Sequence, residues 1–184
     1  MATAFKMEKI SVEDLLAQYA RGQRDFEQVD LSCADLFEAN LQEINLKNSK
    51  LVQIYLPYGD LSQANLEATQ LQGAQLSNTQ LYYANFAHAD LQKANLSRSN
   101  LRYANLRGAD LSEANLHGAD LAYADLSDAN LSDADLSNAN FKKTNLTGAK
   151  LSNANLFRSQ NVDLLDAEFD TTTIWPDGHR QSPN

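Results

Sequence analysis

The hydrophobic positions of this chain keep one period through most of its length. Every fifth residue from Phe26 to Leu156 is Leu or Phe, which makes (156 − 26)/5 + 1 = 27 positions without a miss. Such self-similarity dictates the whole architecture and outranks local propensity. An α-helix turns about 100° per residue, so a five-residue step leaves about 140° and the leucines would wind round the cylinder. A flat strand fails as well, because an odd step sends alternate leucines to opposite faces. A backbone that turns a corner once per pentad points all of them inward. The pattern predicts a solenoid.

The polar positions agree. Two residues before each Leu stands a small residue, as in Ala104-Asn105-Leu106 and Ala114-Asn115-Leu116. Ala and Leu both face the interior across a short strand while the Asn or Asp between them points out. The next two residues, Arg107-Gly108 or Ser112-Glu113, suit an outward-facing corner. Pro57 falls on the first corner position, where a fixed φ and a missing N–H are tolerated. In the first half the small inward position is taken by Val29, Ile44 and Ile54. Around Leu56 the chain reads Gln53-Ile54-Tyr55-Leu56-Pro57-Tyr58-Gly59. This predicts compensation of large by small residues across the core, with a local bulge.

Both ends depart from the period. Ser11 to Arg21 reads as a short amphipathic helix whose Val12, Leu15, Leu16 and Tyr19 form one buried stripe. Ser11 is its N-cap, Glu13 and Asp14 lie in the positive first turn, and Gly22 follows its end. An open solenoid end exposes unpaired strand groups, so the helix is expected to be a lid, with a partner-docking helix as the alternative. After Leu156 the next inward residues are expected at Leu164, Phe169 and Ile174, with Val162, Ala167 and Thr172 two before each. That phase shift puts a small loop near Arg158–Asn161. Trp175 then plugs the end, Pro176 stops strand propagation, and the residues from His179 are expected to be disordered.

The repeat A-(D/N)-L-X-X resembles the pentapeptide-repeat family. Ala119-Asp120-Leu121-Ala122-Tyr123, Ala124-Asp125-Leu126-Ser127-Asp128 and Ala129-Asn130-Leu131-Ser132-Asp133 are near-ideal copies, and the resemblance covers roughly residues 24–175. It implies an all-β fold, a right-handed quadrilateral parallel β-helix with four pentads per coil. Residue spacing alone leaves the number of sides open: Tyr83, Tyr103 and Tyr123 recur at twenty residues, whereas Asn85, Asn100, Asn115, Asn130 and Asn145 recur at fifteen. With four sides the repeat makes about seven coils and a rod about 34 Å long. The expected organisation is a flexible start at 1–10, a capping helix at 11–22 and the β-helix at 23–160. A final irregular coil with its cap follows at 161–176, and a tail at 177–184.

Composition narrows the function. A formal net charge of −9 argues against direct nucleic-acid binding, which needs a basic stripe over the phosphates. No secretory signal or membrane-spanning stretch is visible. Cys33 is the single cysteine, so no internal disulfide can form, and a cytoplasmic location is expected.

Two surface features stand out. Tyr83, Tyr103 and Tyr123 should stack on one outer corner at about 4.8 Å, beside Tyr82 and Arg102 and below Lys142 and Lys143. This is either a stabilising aromatic ladder or a protein-binding patch, since exposed Tyr and Arg supply binding hot spots. The second feature is an acidic region: Asp90, Asp110, Glu113, Asp120, Asp125, Asp128, Asp133 and Asp135, with no Lys or Arg between Gly108 and Phe141. It either solubilises the rod or imitates DNA. The resemblance implies the second possibility, because the family's quinolone-resistance members look like a DNA duplex and bind gyrase. This chain lacks the dimerising C-terminal helix and the long looped insertion found among them.

His88, His117 and His179 fall on different corners or in the tail and cannot converge on a metal. No nucleophile elbow, phosphate loop or cleft-bound carboxylate pair is present. The expectation is therefore a protein without catalytic activity or cofactor, as a monomer or end-to-end dimer. It would serve as an interaction scaffold binding a protein partner through an outer face, with a DNA-mimic topoisomerase modulator as the alternative. The segment Leu15–Gly22 before a Phe-started repeat also looks like that of cyanobacterial family members that regulate heterocyst differentiation by binding other proteins.

Overall fold

The five-residue unit explains itself once its hydrogen bonds are followed. In the computed structural model, which describes residues 7–180, the central Leu and the second corner residue donate forward to the next coil. Leu31 N bonds Lys50 O at 2.8 Å and Cys33 N bonds Val52 O at 2.9 Å. The outward residue donates back, as Lys50 N does to Val29 O at 2.8 Å, and the small inward residue closes the corner, Ala34 N to Leu31 O at 3.0 Å. One N–H per pentad, on the first corner residue, is left without a backbone partner. The outward Asp or Asn fills that gap with an Asx-turn: Asp30 Oδ1 accepts from Ser32 N at 2.9 Å, Asn105 Oδ1 from Arg107 N at 3.1 Å, Asp135 Oδ1 from Ser137 N at 3.0 Å. Asparagine does a second job, since its amide donates down the rod, Asn105 Nδ2 to Asn85 Oδ1 at 2.9 Å. The D/N preference follows from this hydrogen bonding.

The number of sides is settled by register. Parallel bridges join outward residues twenty apart, from Asp25↔Asn45 to Asn140↔Gln160, so four pentads make one coil. The sides are centred on Phe26/Leu46, Leu31/Leu51, Leu36/Leu56 and Leu41/Leu61, and are called first to fourth in that order. The central Leu and Phe residues and the inward alanines fill the interior as one continuous cluster. Where the inward position carries a hydroxyl, it donates to a carbonyl and, except at the part-buried Thr144, is buried, as with Thr79 Oγ1 to Leu56 O at 2.9 Å and Ser99 Oγ to Leu96 O at 2.7 Å.

Corners carry a cost that periodicity does not reveal. The second corner residue has φ near +60° at every pentad from Gln28 to Arg158, and only Gly73, Gly108, Gly118 and Gly148 are glycines. None of these residues is Val, Ile, Thr or Pro, the types for which the left-handed region is most strained. A negative φ followed by a positive one is the sign pattern of a type II turn.

The expected large-for-small packing is present: Ile44, Ser49 and Ile54 are buried, and a Cβ on Gly59 would lie 2.0 Å from Leu56 Cδ2. The expected bulge is absent. Tyr55 bridges Asp35 and Gln75 at the regular twenty-residue spacing, because an oversized inward residue is absorbed inside the core without lengthening the strand.

The N-terminal helix, α1 (Val12–Ala20), has Ser11 as N-cap, accepting from Asp14 N at 3.1 Å. It ends in a Schellman arrangement, Gly22 N to Tyr19 O at 2.9 Å and Gln23 N to Gln18 O at 3.1 Å. Leu15 is fully buried against the first coil, Val12 and Tyr19 flank it, and Tyr19 OH donates to Gln42 O at 2.9 Å. Leu16 does not join the expected stripe and is exposed. It lies about 100° round the helix from Leu15, beyond the narrow strip that a single coil can cover.

Residues 8–10, expected to be loose, are tied down. Strand β1 (Glu8–Lys9) pairs in parallel with β2 (Val29–Asp30), because the first coil offers an unpaired edge there. Expectations for residues 1–6 and 181–184 lie outside the described residues.

The C-terminal end corrects the sequence reading in two places. Bridges there are Lys150↔Glu168 and Asn155↔Ile174, eighteen and nineteen residues apart, so the corner between Gln160 and Leu164 is shortened by two residues. One residue is then regained between Phe169 and Trp175. Consequently Thr173 is the buried inward residue and Trp175 takes the central position, packing on Phe169 with ring centroids 5.2 Å apart; Ile174 is the outward, bridging residue. Asp177 to Arg180, expected in a tail, form a turn. Trp175 N bonds His179 O at 2.8 Å and Arg180 bridges back to Ile174.

Candidate functional site

On the corner after the fourth side, the twenty-residue register stacks Tyr83, Tyr103 and Tyr123, all at positive φ. Ring centroids are 4.9 Å apart for Tyr83–Tyr103 and 4.8 Å for Tyr103–Tyr123, with interplanar angles of 19° and 9°. Tyr82 meets this stack edge-on, 4.4 Å from Tyr83 and 5.5 Å from Tyr103. Arg102 lies 5.8 Å and 5.9 Å from the centroids of Tyr103 and Tyr123 and pairs with Asp120 at 3.3 Å. Hydrogen bonding to Asp120 raises the guanidinium pKa further. Lys143 Nζ sits 5.5 Å from the Tyr123 ring. The Tyr82 hydroxyl pushes the Tyr83 phenol above its usual range. Tyr82 and Tyr83 are exposed, whereas Tyr103 and Tyr123 are half-buried by the stacking itself. The corner therefore presents a rigid aromatic edge with a cationic end.

Only half of the acidic candidates are brought together, Asp90 stacking on Asp110 and Glu113 standing one coil from Asp133. Asp90 and Asp110 lie on the second side, with Glu113 and Asp133 at its corner. Asp120 is on the fourth side, Asp125 and Asp128 on the first side and its corner, and Asp135 on the third. Five of them, Asp90, Asp110, Asp120, Asp125 and Asp135, accept the Asx N–H. Glu113 pairs with Lys93 at 3.5 Å and Asp128 with Arg107 at 3.7 Å. The expected acidic face is thus a girdle round four sides, because the repeat places its Asp residues where turns need acceptors.

Among the described residues no group of three or more His, Cys, Asp or Glu is placed to hold a metal. His117 Nδ1 lies 2.9 Å from Ser137 Oγ, an isolated surface pair. Hollows of about 330 Å³ beside α1 and about 170 Å³ at the shortened corner lie at the two ends, and no tyrosine lines either. No helix of the described residues is long and apolar enough to cross a membrane.

The family described as "Pentapeptide repeats (8 copies)" matches residues 23–54, 60–98, 89–125 and 124–159. The chain belongs to the pentapeptide-repeat family. This pentapeptide-repeat protein is similar to a structure of QnrB1, a plasmid-mediated fluoroquinolone resistance protein, at 22% identity over 79% of this chain and 80% of that chain, with a TM-score of 0.56. It is also similar to HetL, a pentapeptide repeat protein involved in heterocyst differentiation regulation from the cyanobacterium Nostoc sp. strain PCC 7120. There the identity is 30% over 94% of this chain and 100% of that chain, with a TM-score of 0.32. Rfr23 from the cyanobacterium Cyanothece 51142 is 24% identical over 89% of this chain and 97% of that chain, with a TM-score of 0.45. A search of curated proteins returned no match.

One group of exposed residues went unnoticed in the sequence: Phe37, Tyr55 and Tyr58, at the third side and its corner. A signal was present. Tyr55 is the one aromatic residue among the outward strand positions from Asp25 to Gln160, where every turn would prefer Asp or Asn.

Proposed function

We propose that this pentapeptide-repeat protein is a non-catalytic interaction scaffold that binds a protein partner through the corner carrying Tyr82, Tyr83, Arg102, Tyr103 and Tyr123. The observation that carries the reading is the column of stacked rings flanked by Arg102 and capped by Lys143. Stacked aromatics are already ordered, so little side-chain entropy is lost on binding, and Tyr and Arg are enriched among binding hot spots. α1 and the Trp175–Arg180 turn serve as lids over the open coils, which keeps the rod from polymerising through its ends. The coil is taken to wind right-handed, the hand preferred by crossovers between parallel strands. A cytoplasmic setting is proposed on the single cysteine.

The test is affinity capture from an extract of the producing cells with the protein and a Tyr83→Ala/Tyr103→Ala/Tyr123→Ala variant, together with their melting curves. The binding reading expects a captured protein to be lost with the variant. An unchanged capture profile alongside a lowered melting temperature leaves only the stabilising ladder. The topoisomerase alternative has weaker support, since the carboxylates are dispersed round the rod and engaged in turns. The QnrB1 likeness at 22% identity concerns the fold alone. A gyrase supercoiling assay is expected to show neither inhibition nor protection.

A further inference from the structure

The pentad Tyr55–Gly59 breaks the rule of its repeat without disturbing the coil. The matched family segments end at 54 and resume at 60, yet the bridges Asp35↔Tyr55 and Tyr55↔Gln75 keep the regular spacing. The local chemistry shows the departure being accommodated. Tyr55 cannot form an Asx-turn, and the residue that would have donated to it is Pro57, which has no N–H. Tyr58 holds a left-handed φ of 60° while remaining 60% exposed, so it bears backbone strain without the benefit of burial. One coil earlier on the same corner stands Phe37, 48% exposed, and Tyr55 is 43% exposed. Phe37 lies 6.2 Å from Tyr55 with planes 18° apart and 6.0 Å from Tyr58 at 74°. These three rings form an exposed aromatic platform.

The surroundings say what would cover it. Asp35 and Glu38 share the third side and its corner with the platform, and Asp60 lies on the adjoining fourth side. Between Arg24 and Lys93 the only cations are Lys47 and Lys50, on other sides of the rod and already paired with Glu67 at 3.0 Å and Asp30 at 4.0 Å. The tyrosine corner is opposite in character, since it supplies its own Arg and Lys. We propose that the Phe37–Tyr55–Tyr58 platform is a second docking surface, which takes an arginine-bearing segment of a partner protein. Guanidinium planes stack on exposed rings, and the carboxylates of Asp35, Glu38 and Asp60 provide the complementary charge. This site is independent of the tyrosine corner and stands whether or not that corner binds.

The experiment titrates the full-length, isotope-labelled protein with a capped peptide of alternating glycine and arginine, following backbone amide resonances at low and high salt. A lysine counterpart and an uncharged proline-rich peptide are run in parallel. Shifts are expected at residues 35–38 and 55–60, stronger with arginine than with lysine and weaker at high salt. A Phe37→Ser/Tyr55→Asn/Tyr58→Asn variant restores repeat-like residues without adding charge and is expected to weaken binding about tenfold without lowering the melting temperature. Should that variant fold poorly, Asp35→Asn/Glu38→Gln decides instead, because Asn preserves the Asx-turn while two charges are removed; weaker binding is again expected. The proposal is overturned by an absence of shifts at low salt, by shifts spread round the rod or centred on Tyr83 and Tyr103, by undiminished binding to the variants, or by preference for the proline-rich peptide. Self-association through this platform, seen as concentration-dependent shifts at the same residues without peptide, would also overturn it.

Discussion

A single unsatisfied amide per pentad governs the residue scale. The outward Asp or Asn exists to accept it, so Asn105→Ala removes the acceptor for Arg107 N and the donor to Asn85. The expected loss is about 1 kcal/mol in denaturant unfolding, and Asn105→Asp, which keeps the acceptor, is expected to lose less. At the second corner residue the requirement is conformational. Asn138 has φ 58°; Asn138→Val is expected to destabilise by about 1–3 kcal/mol, whereas Asn138→Gly stays close to the parent. Hydrogen bonding also sets the pH response. Burial tends to raise the Asp60 carboxyl, but bonds from Ser62 and Gln42 outweigh it and hold the group below its usual range. Thr172 does the same for Asp170, through its hydroxyl and its N–H. A folded pKa that is depressed gives stability present above the unfolded value and lost as pH falls through the folded one. Melting temperature is therefore expected to hold at neutral pH and drop once pH falls below about 4, as followed by circular dichroism across an acid series.

Elements matter here chiefly at the ends, where the repeat cannot supply its own neighbour. α1 packs on the first coil through Leu15, with Tyr19 anchored to Gln42 O and Arg24 lying 3.8 Å over the Tyr19 ring. Leu15→Ala is expected to cost about 2–5 kcal/mol of local stability. The loss should be seen as faster amide exchange in residues 25–45, with coils beyond Leu66 unchanged. At the other end a shortened corner and one regained residue rotate the final strand until Trp175 sits over the core beside Phe169. The aromatic residue ends the rod because the phase changes by two and then by one.

Across the whole molecule the protein behaves as a stack of nearest-neighbour coils. Each side repeats every twenty residues, so any outward residue type recurring at that interval becomes a column. This converts a mild sequence preference into a surface: tyrosines at one corner, asparagine ladders on the first side, aspartates wherever turns demand them. It also places two aromatic clusters, Tyr82–Tyr83–Tyr103–Tyr123 and Phe37–Tyr55–Tyr58, on different corners of one rod.

The inward direction of the leucines, the corner at each pentad and the helix with its Ser11 cap were legible in the chain alone, because each follows from a local period or a local propensity; the tyrosine column was legible only once four sides were granted. Tertiary structure decided what periodicity leaves degenerate. Twenty-residue bridges chose four sides where asparagine spacing also suited three. They scattered the acids into a girdle, since residues adjacent in sequence occupy different sides. Tyr55, Pro57, Tyr58 and Phe37 became one surface only because a full coil brings residue 37 beneath residue 57, a neighbourhood that arises from stacking and has no counterpart along the chain.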